Sequence, residues 1–299
     1  MKIINELVEI PNLSLALGFF DGMHLGHQSV INCAVDFARQ TSTKSAVVTF
    51  KEHPLCYLKG LPPKYIIPRE EVYNIMGEIG VDYIIELDFA LVSQMNPIEY
   101  LRDVLYKYFS PKAISTGFNH HFGSSKTGNV KFLSDCQSRF NYTYFATPAE
   151  SLYGDIISST AIRSFIHSGI INIANDMLGR KFAVSGMVIP GKKLGKKFGY
   201  PTANISYPEN IIEPKSGVYK VRVTLPDGKK YLAVANYGNN PTVNNNETNT
   251  FEVHIPNFSG DLYWKNLKVE FIKMIRSEFK FSSVEELKEQ IQKDIDSIM

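Results

Sequence analysis

The chain has 299 residues, which at roughly 150 residues per domain predicts about two domains. Its 32 lysines and arginines and 30 aspartates and glutamates leave a formal net charge of +2. A net charge so close to zero excludes an overall positive potential that would attract nucleic acid. Nucleic-acid binding would therefore need a local basic patch. Hydrophobic residues make up 44% and charged residues 21%, which is ordinary for a globular protein with a sizeable core. These values favour an enzyme that acts on small polar substrates.

The N-terminus and the cysteines set expectations about location. Two glutamates interrupt the apolar residues within the first nine positions, so no secretory signal peptide is predicted. No apolar run approaches the ~20 residues that a membrane helix needs, so we expect no membrane partner. Cys33, Cys56 and Cys136 are an odd number at wide spacing. This spacing favours reduced thiols in the cytoplasm over a disulfide framework or a zinc knuckle.

The first half of the chain alternates apolar runs and amphipathic runs. In chain order these predict strand Leu13–Phe19, helix Gly26–Arg39, strand Ser45–Phe50, helix Arg69–Gly77, strand Asp82–Leu87, helix Pro97–Phe109, strand Lys112–Thr116, helix Val130–Phe140 and strand Tyr142–Ala146. Alternation of this kind predicts an α/β domain with a Rossmann-like parallel sheet that helices cover on both faces. Ligands of such folds bind at the carboxyl ends of the strands.

Histidines gather in the segments that follow three of the predicted strands. Five of the seven histidines lie there, namely His24, His27, His53, His120 and His121. Surface histidines would scatter along the chain, whereas the carboxyl ends of parallel strands meet at one edge of a sheet. The clustering therefore predicts a site at that edge.

The segment Gly18–His27 joins the first strand to the first helix. His24 and His27 are three residues apart, so both can face one way at the start of the helix. A helix N-terminus favours anions, and Gly22 and Gly26 let the backbone approach a phosphate. A zinc site would need further ligands, and no cysteine or carboxylate stands at suitable spacing. The junction therefore favours a phosphate ligand.

Gly18–His27 fits G-x-F-D-G-x-H-x-G-H and resembles the signature of bacterial bifunctional riboflavin kinase/FMN adenylyltransferases, also called prokaryotic FAD synthetases. Three further segments resemble family elements in the family's order. Thr49–Pro54 resembles T-F-x-P-H-P, with Glu52 where a proline is usual, and Gly117–Gly123 resembles G-x-[DN]-x-x-F-G. Ile157–Arg163 resembles the element ISSTxIR.

The resemblance implies adenylyl transfer from ATP to the phosphate of FMN. The nucleophile is already an anion, so positioning and charge stabilisation suffice without a general base. It implies His24 and His27 as catalytic contacts of the ATP phosphates and His53 as a flavin contact. The further residues implied to bind ATP or its phosphates are Gly18, Phe20, Asp21, Gly22, Gly26, Asn119, Ser159, Thr160 and Arg163.

The pattern of apolar residues in the second half predicts a different architecture. Partly alternating runs predict strands at Phe182–Ile189, Gly217–Leu225, Tyr231–Tyr237, Thr250–Ile255 and Leu267–Ile275. Ser282 or Ser283 is expected to cap a last helix, with Glu285 or Glu286 completing a capping box. The apolar stripe of that helix is Val284, Leu287, Ile291, Ile295 and Ile298. These features predict an antiparallel β-barrel with a C-terminal helix, and they divide the chain into domains 1–180 and 181–299.

A lysine-rich loop follows the first predicted barrel strand. Gly191–Asn204 resembles the riboflavin kinase motif G-x(3)-G-x(3)-G-[FY]-P-T-A-N of the same family. The resemblance implies that Thr202 and Asn204 hold the Mg²⁺ of the nucleotide, because Mg²⁺ accepts neutral oxygen ligands beside phosphates. It also implies that the loop closes over the phosphates through Gly191, Gly195 and Gly199.

Phosphorylation of riboflavin needs a base, because the 5′-hydroxyl of the ribityl chain is a poor nucleophile until it loses its proton. Thr250–Tyr263 resembles the family segment whose glutamate is that base, which implies Glu252 in the role. Trp264 departs from the pattern, which has glycine after Leu-Tyr. Asn236–Thr242 resembles the turn N-x-G-x-x-P-T. Arg276 belongs to an R-x-E-x-x-F segment and is implied as a flavin contact.

The resemblance thus implies a bifunctional transferase with Mg²⁺ as cofactor and riboflavin, FMN, FAD and ATP as small-molecule partners. We expect no nucleic-acid partner and a monomer or weak self-association. One alternative is an FMN adenylyltransferase with a weak or inactive kinase module. A second is a nucleotidyltransferase of another phosphate substrate with a non-catalytic barrel. A third is a nucleic-acid-binding barrel that uses the loop Lys192–Lys197 and would bind oligonucleotides in a salt-dependent way.

Overall fold

The computed structural model describes residues 1–60, 63–191, 195, 198–239 and 249–298. By the contacts within the chain it divides into two compact units. The first unit comprises Met1–Pro63 and Pro68–Ser158, and the second comprises Lys64–Ile67 and Ser159–Met299. The predicted functional boundary near residue 180 stays a prediction. Among the described residues, no helix has the length and apolar character to span a membrane.

The first unit is built on a parallel sheet. Its strands are β1 (Lys2–Ile4), β2 (Leu13–Leu17), β3 (Lys44–Phe50), β4 (Tyr83–Leu87), β5 (Ala113–Gly117), β6 (His121–Phe122), β7 (Gly128–Asn129), β8 (Thr143–Thr147), β9 (Ser151–Leu152) and β10 (Asp155–Ile156). Six of them form one sheet in the order β1-β4-β3-β2-β5-β8, with every pair parallel. All five residues of β2 are buried, as expected of a central strand that is covered on both faces. The predicted fold class of this half is confirmed.

Helices cover this sheet. They are α1 (Leu25–Thr41), α2 (Pro54–Lys59), α3 (Arg69–Ile79), α4 (Phe89–Val92), α5 (Pro97–Glu99), α6 (Lys107–Phe109), α7 (Val130–Asp135) and α8 (Gln137–Phe140). A π-helix at Tyr100–Tyr106 joins α5 to α6, so the helix predicted over 97–109 is present with a wider central turn. Asn96 starts it through a capping box with Glu99. The helix predicted over 130–140 is interrupted at Cys136.

The second unit holds the barrel. Its elements are α9 (Ser159–Ser168), α10 (Ile171–Leu178), β11 (Ala183–Ile189), β12 (Ala203–Ile205), β13 (Gly217–Thr224), β14 (Lys230–Asn239), β15 (Asn249–His254), β16 (Asn266–Ser277) and α11 (Val284–Asp296). The strands close into an antiparallel barrel in the order β11-β12-β15-β14-β13-β16. The predicted barrel with a C-terminal helix is confirmed. Ser283 caps α11 by accepting the N–H of Glu286 at 3.1 Å.

The barrel strands alternate between an inner and an outer face. Ala235 and Tyr237 on β14 and Phe251 and Val253 on β15 are buried inside the barrel. Because successive side chains on a strand point to opposite faces, the residues between them lie on the outer face. Glu252 is one of these outer-face residues. The candidate base therefore stands outside the barrel wall and not in its core.

A short piece of the N-terminal half belongs to the second unit. Tyr65 forms a parallel β-bridge with Ile211. Its N–H donates to the Asn210 carbonyl at 2.7 Å, and its carbonyl accepts the N–H of Ile212 at 2.8 Å. Lys64 forms an ion pair with Glu213. The barrel unit is therefore discontinuous in sequence.

Candidate active sites

The loop between β2 and α1 has a tightly fixed backbone. Phe20, Gly22 and Met23 have φ values of 61°, 83° and 43°, and such angles are uncommon for residues other than glycine. The ring of Phe20 lies over Gly18, where a Cβ would stand only 2.8 Å from the ring's Cζ. Phe20, Gly22 and Met23 are buried, as is Asp21. The shape of this loop is therefore set by packing, and Gly18 is required by the close approach of Phe20.

The two histidines predicted as catalytic meet at the N-terminus of α1. His24 is the N-cap, and its Nδ1 accepts the N–H of His27 at 3.2 Å. The two rings stack with centroids 3.5 Å apart and an interplanar angle of 21°. Phe20 contacts His27 edge-on at 5.3 Å. Because Nδ1 of His24 accepts a hydrogen bond, its neutral tautomer carries the proton on Nε2, which makes Nε2 a donor.

The loop after β3 contacts the loop after β2. The rings of Phe19 and His53 meet edge-on with centroids 4.5 Å apart. His53 caps α2 by accepting the N–H of Leu55 at Nδ1, at 3.1 Å. Because β3 and β2 are adjacent and parallel, both loops leave the same edge of the sheet. The structure thus brings His53 next to the loop that holds His24 and His27.

The loop after β5 lies at the same edge, because β5 pairs with β2 on its other side. The N–H of His120 donates to the Gly117 carbonyl at 3.1 Å, and Nδ1 of His121 lies 2.8 Å from the carbonyl of Asn119. The His120 ring stacks on Phe122 at 5.7 Å. Burial, with a smaller contribution from His121, lowers the pKa of His120 to about 4. Asn119 is exposed, as a ligand contact requires.

Sequence reasoning missed an arginine behind this edge. The guanidinium of Arg69 donates to the carbonyls of Phe50 and Lys51 and to the carboxylate of Glu86. It also donates to the Tyr73 hydroxyl, which donates to Glu86 in turn. Burial and the hydrogen bond to Glu86 raise the pKa of Tyr73 well above its ordinary value. Arg69 therefore fixes the point where β3 ends and the loop to His53 begins.

The segment that resembles ISSTxIR falls in the second unit. Ser159 and Thr160 are the first two residues of α9, and Arg163 lies one turn further along. Thr160 is exposed, whereas Ser159 and Arg163 are half-buried. Their predicted contact with a triphosphate stays a prediction.

Three residues predicted for the kinase site lie together on the outer face of the barrel. Asn204 on β12 is directly opposite Glu252 on β15, and Glu252 is directly opposite Asn236 on β14. Residues directly opposite in antiparallel pairs point to the same face, so these three form a row. The Thr202 hydroxyl donates to Oε2 of Glu252 at 3.1 Å. The predicted metal ligands and the predicted base are therefore neighbours.

The glycines of the lysine-rich loop pack against those ligands. A Cβ on Gly191 would stand 2.1 Å from Nδ2 of Asn204. A Cβ on Gly195 would stand 2.4 Å from the carbonyl of Tyr200 and 3.2 Å from Oγ1 of Thr202. Gly199 has φ = 92°, which favours glycine. Lys192, Lys193, Leu194, Lys196 and Lys197 lie outside the described residues, as do Asn240, Pro241 and Thr242 of the predicted turn.

Thr202, which donates to Glu252 of this row, lines two cavities. The first, here called the outer-face cavity, has a volume of about 530 Å³. The polar residues on its wall are Tyr200, Thr202, Asn236, Thr250, Glu252, His254, Arg276, Glu278, Lys280 and Asp294, and the apolar residues on it include Val218, Phe279, Phe281, Leu287, Ile291 and Ile295. The last three belong to the predicted stripe of α11. The C-terminal helix therefore forms one wall of this cavity.

The second cavity, here called the inner-face cavity, has a volume of about 290 Å³. Ala203 and Val253 line it, and they form a register pair on the opposite face from Glu252. Thr202 lines both cavities. The strand edge that carries the predicted metal ligands thus separates two spaces of ligand size.

Arg276 lines the outer-face cavity with its charge already paired. Its Nε and one terminal nitrogen donate to the carboxylate of Asp294 at 2.8–3.1 Å, and Asp294 is buried. Its guanidinium also lies over the ring of Phe279, 4.6 Å from the centroid. This arrangement ties α11 to β16. The predicted flavin contact of Arg276 stays a prediction.

Trp264 occupies a position where the related motif has glycine. Its φ is 64°, in the left-handed region that glycine adopts without strain. The side chain is 65% exposed and lines neither cavity. The substitution therefore leaves both cavities open.

The fold and the site geometry indicate the class of protein, which is a two-unit enzyme. One unit has histidines and a helix N-terminus at the edge of a parallel sheet, and the other has a carboxylate beside neutral side-chain oxygens. Residues 8–161 match the FAD synthetase family, and residues 178–299 match the riboflavin kinase family. A protein of Haemophilus influenzae named bifunctional riboflavin kinase/FMN adenylyltransferase is 33% identical over 291 residues, which cover 96% of this chain and 94% of that protein. A protein of Listeria monocytogenes with the same name is 34% identical over 287 residues, covering 95% and 90%. The chain belongs to the bifunctional riboflavin kinase/FMN adenylyltransferase family, as its motifs predicted.

A solved structure is similar over the full length. It is described as a macrolide-efflux protein from Streptococcus pneumoniae, with a TM-score of 0.88 and 29% identity. The match covers 99% of this chain and 98% of that one. The efflux role in that description is said of the Streptococcus protein. The similarity supports the fold found here.

Proposed function

We propose that this protein phosphorylates riboflavin to FMN in the second unit and adenylylates FMN to FAD in the first. The observation that carries the proposal is the cluster of Thr202, Asn204 and Glu252, in which Thr202 lines both cavities and Glu252 lines the outer-face cavity. A barrel that had lost its activity would have no need to keep a base and metal ligands in register. The cluster thus favours the bifunctional reading over an adenylyltransferase with an inactive barrel.

In the kinase reaction Glu252 takes the proton of the ribityl 5′-hydroxyl. The resulting oxygen attacks the γ-phosphorus of ATP, the bond from that phosphorus to the β–γ bridging oxygen breaks, and ADP leaves. Riboflavin is assigned to the outer-face cavity because Glu252 lines it. A volume of about 530 Å³ and aromatic and aliphatic walls suit the flavin ring. The nucleotide is assigned to the inner-face cavity, because Thr202 lines both spaces and the phosphoryl group must pass between them.

Thr202 and Asn204 fit a magnesium site. They offer neutral oxygens, and the close packing of Gly191 on Asn204 and of Gly195 on Thr202 leaves no room for larger residues there. Bound Mg²⁺ would neutralise charge on the phosphates of the nucleotide. Thr202 also holds Glu252 in place through its hydroxyl.

In the adenylyl transfer a phosphate oxygen of FMN attacks the α-phosphorus of ATP, and pyrophosphate leaves. The ring nitrogens of His24 and His27 and the N-terminus of α1 stabilise the charge on the phosphates. His53, in contact with Phe19, is assigned to the flavin side. The backbone contacts assigned to ATP are those of Gly18, Phe20, Asp21, Gly22 and Gly26, and the side chain of Asn119 is assigned to the same nucleotide. Ser159, Thr160 and Arg163 belong to the second unit and keep only the role that their sequence motif implies.

We also propose that the protein acts in the cytoplasm as a monomer or a weakly self-associating chain, with small molecules as its partners. The free thiols of Cys33, Cys56 and Cys136 suit a reducing compartment. Analytical ultracentrifugation of the purified chain tests the oligomeric state. A stable dimer at micromolar concentration would contradict it.

The test of the function is to incubate the full chain with riboflavin, ATP and Mg²⁺ and to separate the flavins by chromatography. We expect FMN to form first and FAD to follow. A parallel reaction that starts from FMN should yield FAD without a lag. Formation of FAD from FMN with no phosphorylation of riboflavin would support the alternative with an inactive barrel, and no product in either reaction would overturn the proposal.

A further inference from the structure

Glu278 and Asn236 form a second polar group in the outer-face cavity that the reaction described above does not use. Asn236 lies beside Glu252 in the row across the strands, and its Nδ2 donates to Oε1 of Glu278 at 3.1 Å. Both residues line the cavity. The cavity therefore presents, in sequence along its wall, the base Glu252, the amide Asn236 and the carboxylate Glu278.

Gly238 leaves the space that the Glu278 carboxylate occupies. Gly238 lies two residues after Asn236 on the same face of β14. A Cβ on Gly238 would stand 2.1 Å from Oε1 of Glu278 and 2.2 Å from Oε2. The carboxylate thus rests directly on the backbone of β14. Any side chain at Gly238 would displace it.

Among the described residues Glu278 forms no ion pair, although the cavity wall also holds the cations Arg276 and Lys280. Arg276 lies two residues away, but its guanidinium forks onto Asp294. Among the described residues, the hydrogen bond from Asn236 is the polar contact that the Glu278 side chain makes. One carboxylate oxygen of Glu278 and the Oδ1 of Asn236 are therefore left to accept hydrogen bonds from a ligand.

We propose that Glu278 and Asn236 bind the inner hydroxyl groups of the ribityl chain and so determine the specificity of the kinase for a flavin with a polyol side chain. This inference rests on the proposed phosphorylation of riboflavin at Glu252. A polyol carries several hydroxyls in a row, each of which can donate to a carboxylate or an amide oxygen. With the terminal hydroxyl at Glu252, the neighbouring hydroxyls meet Asn236 and Glu278 next along the wall. A flavin without those hydroxyls would leave the two groups unpaired, which is the condition under which sites reject an analogue.

The test measures riboflavin phosphorylation by the full chain, with lumiflavin, which has the flavin ring but no ribityl chain, as a competitive inhibitor. For Glu278→Gln we expect the KM for riboflavin to rise about 10-fold, because the hydrogen bond to a charged acceptor is lost. The inhibition constant of lumiflavin should stay within about twofold, because the ring contacts are unchanged. Glu285→Gln is the matched control, because Glu285 is an exposed carboxylate outside the cavity.

A second variant keeps the proposal falsifiable if Glu278→Gln folds poorly. Gly238→Ala should displace the Glu278 carboxylate and raise the KM for riboflavin in the same way. The thermal unfolding curve of the full chain, compared with that of the unaltered protein, reports whether the barrel of each variant is folded. An equal loss of affinity for riboflavin and lumiflavin, or no change in either, would overturn the proposal. Failure of the unaltered chain to phosphorylate riboflavin would instead overturn the proposed function, and it is seen before any variant is made.

Discussion

In the first unit the candidate site lies in loops that follow parallel strands, whereas in the second unit it lies on the strands of the barrel themselves. The sheet-edge site depends on loop conformation, such as the left-handed backbone of Phe20 and Met23. The barrel site depends on register, because Asn204, Glu252 and Asn236 are brought side by side by the pairing of β12, β15 and β14. A slip of one residue in β15 would move Glu252 to the other face of the barrel wall.

The two reactions differ in what they require of their sites, and this difference matches the difference between the two sites. Adenylyl transfer starts from an anionic nucleophile, so donors and a helix N-terminus at a rigid edge suffice. Phosphorylation of a hydroxyl needs a base, and adjacent strands hold the proposed base and the proposed metal ligands close together with little freedom. The comparison predicts that a variant at the sheet edge changes FAD formation alone and that a variant on the outer face of the barrel changes riboflavin phosphorylation alone.

The largest expected effect is that of Glu252→Gln. The amide cannot take the proton of the 5′-hydroxyl, so turnover of riboflavin to FMN should fall by ~10²–10⁴. Formation of FAD from supplied FMN should be unchanged, as chromatography of the two reactions would show. Glu289→Gln is a control on the surface of α11. An unaltered rate of phosphorylation would remove Glu252 from the role of base.

His27→Ala should have the next largest effect, on the other activity. Loss of a charge-stabilising donor at the phosphates should lower FAD formation from FMN by about 10². Riboflavin phosphorylation should stay near the unaltered rate. His167→Ala, at an exposed position on α9, is the matched control. A parallel loss of both activities would show that the two sites are not separate.

Arg69→Met tests whether the hydrogen bonds that hold the backbone at the end of β3 contribute to stability and to FAD formation. The variant removes the donors to the carbonyls of Phe50 and Lys51 and leaves Glu86 without its cation. We expect a loss of about 1–3 kcal/mol in the free energy of unfolding and a lower rate of FAD formation. Thermal unfolding and the FMN assay measure the two effects. Arg102→Met, which removes an exposed pair with Asp103, should change neither, and equal behaviour of the two variants would count against Arg69.

The smallest effect concerns His120. Burial lowers its pKa from the ordinary 6.5 to about 4. Between these pH values the unfolded chain takes up a proton at His120 and the folded protein does not, so stability falls as the pH drops from 6.5 towards 4. His120→Phe should keep the stacking on Phe122 and reduce the loss of stability between pH 6.5 and pH 4. Melting temperatures at pH 7, 5 and 4 would show it, and a slope identical to that of the unaltered chain would contradict it.

The sequence allowed most of the fold to be predicted, because long apolar runs and turn residues are local signals. β12 was missed because Ala203–Ile205 is too short to show a period. Glu252 could be predicted from its motif, whereas the pairing of Asn236 with Glu278 could not. The two are 42 residues apart, and only the closure of the barrel brings them together. Arg69 gave no signal either, since its partners include backbone carbonyls.

The bridge between Tyr65 and Ile211 has a consequence for synthesis. Tyr65 leaves the ribosome roughly 150 residues before Ile211, so at 5–20 residues per second it waits about 7–30 s for its partner. During that interval Ile66 and Ile67, which are buried in the finished protein, precede the rest of the unit to which they belong. The strands of the barrel all come from the C-terminal half, whereas the unit that holds the barrel also needs residues 64–67. A fragment that starts at residue 181 would emerge without the segment that pairs with Ile211, and also without Lys64, whose partner Glu213 accepts from Asn249 on β15.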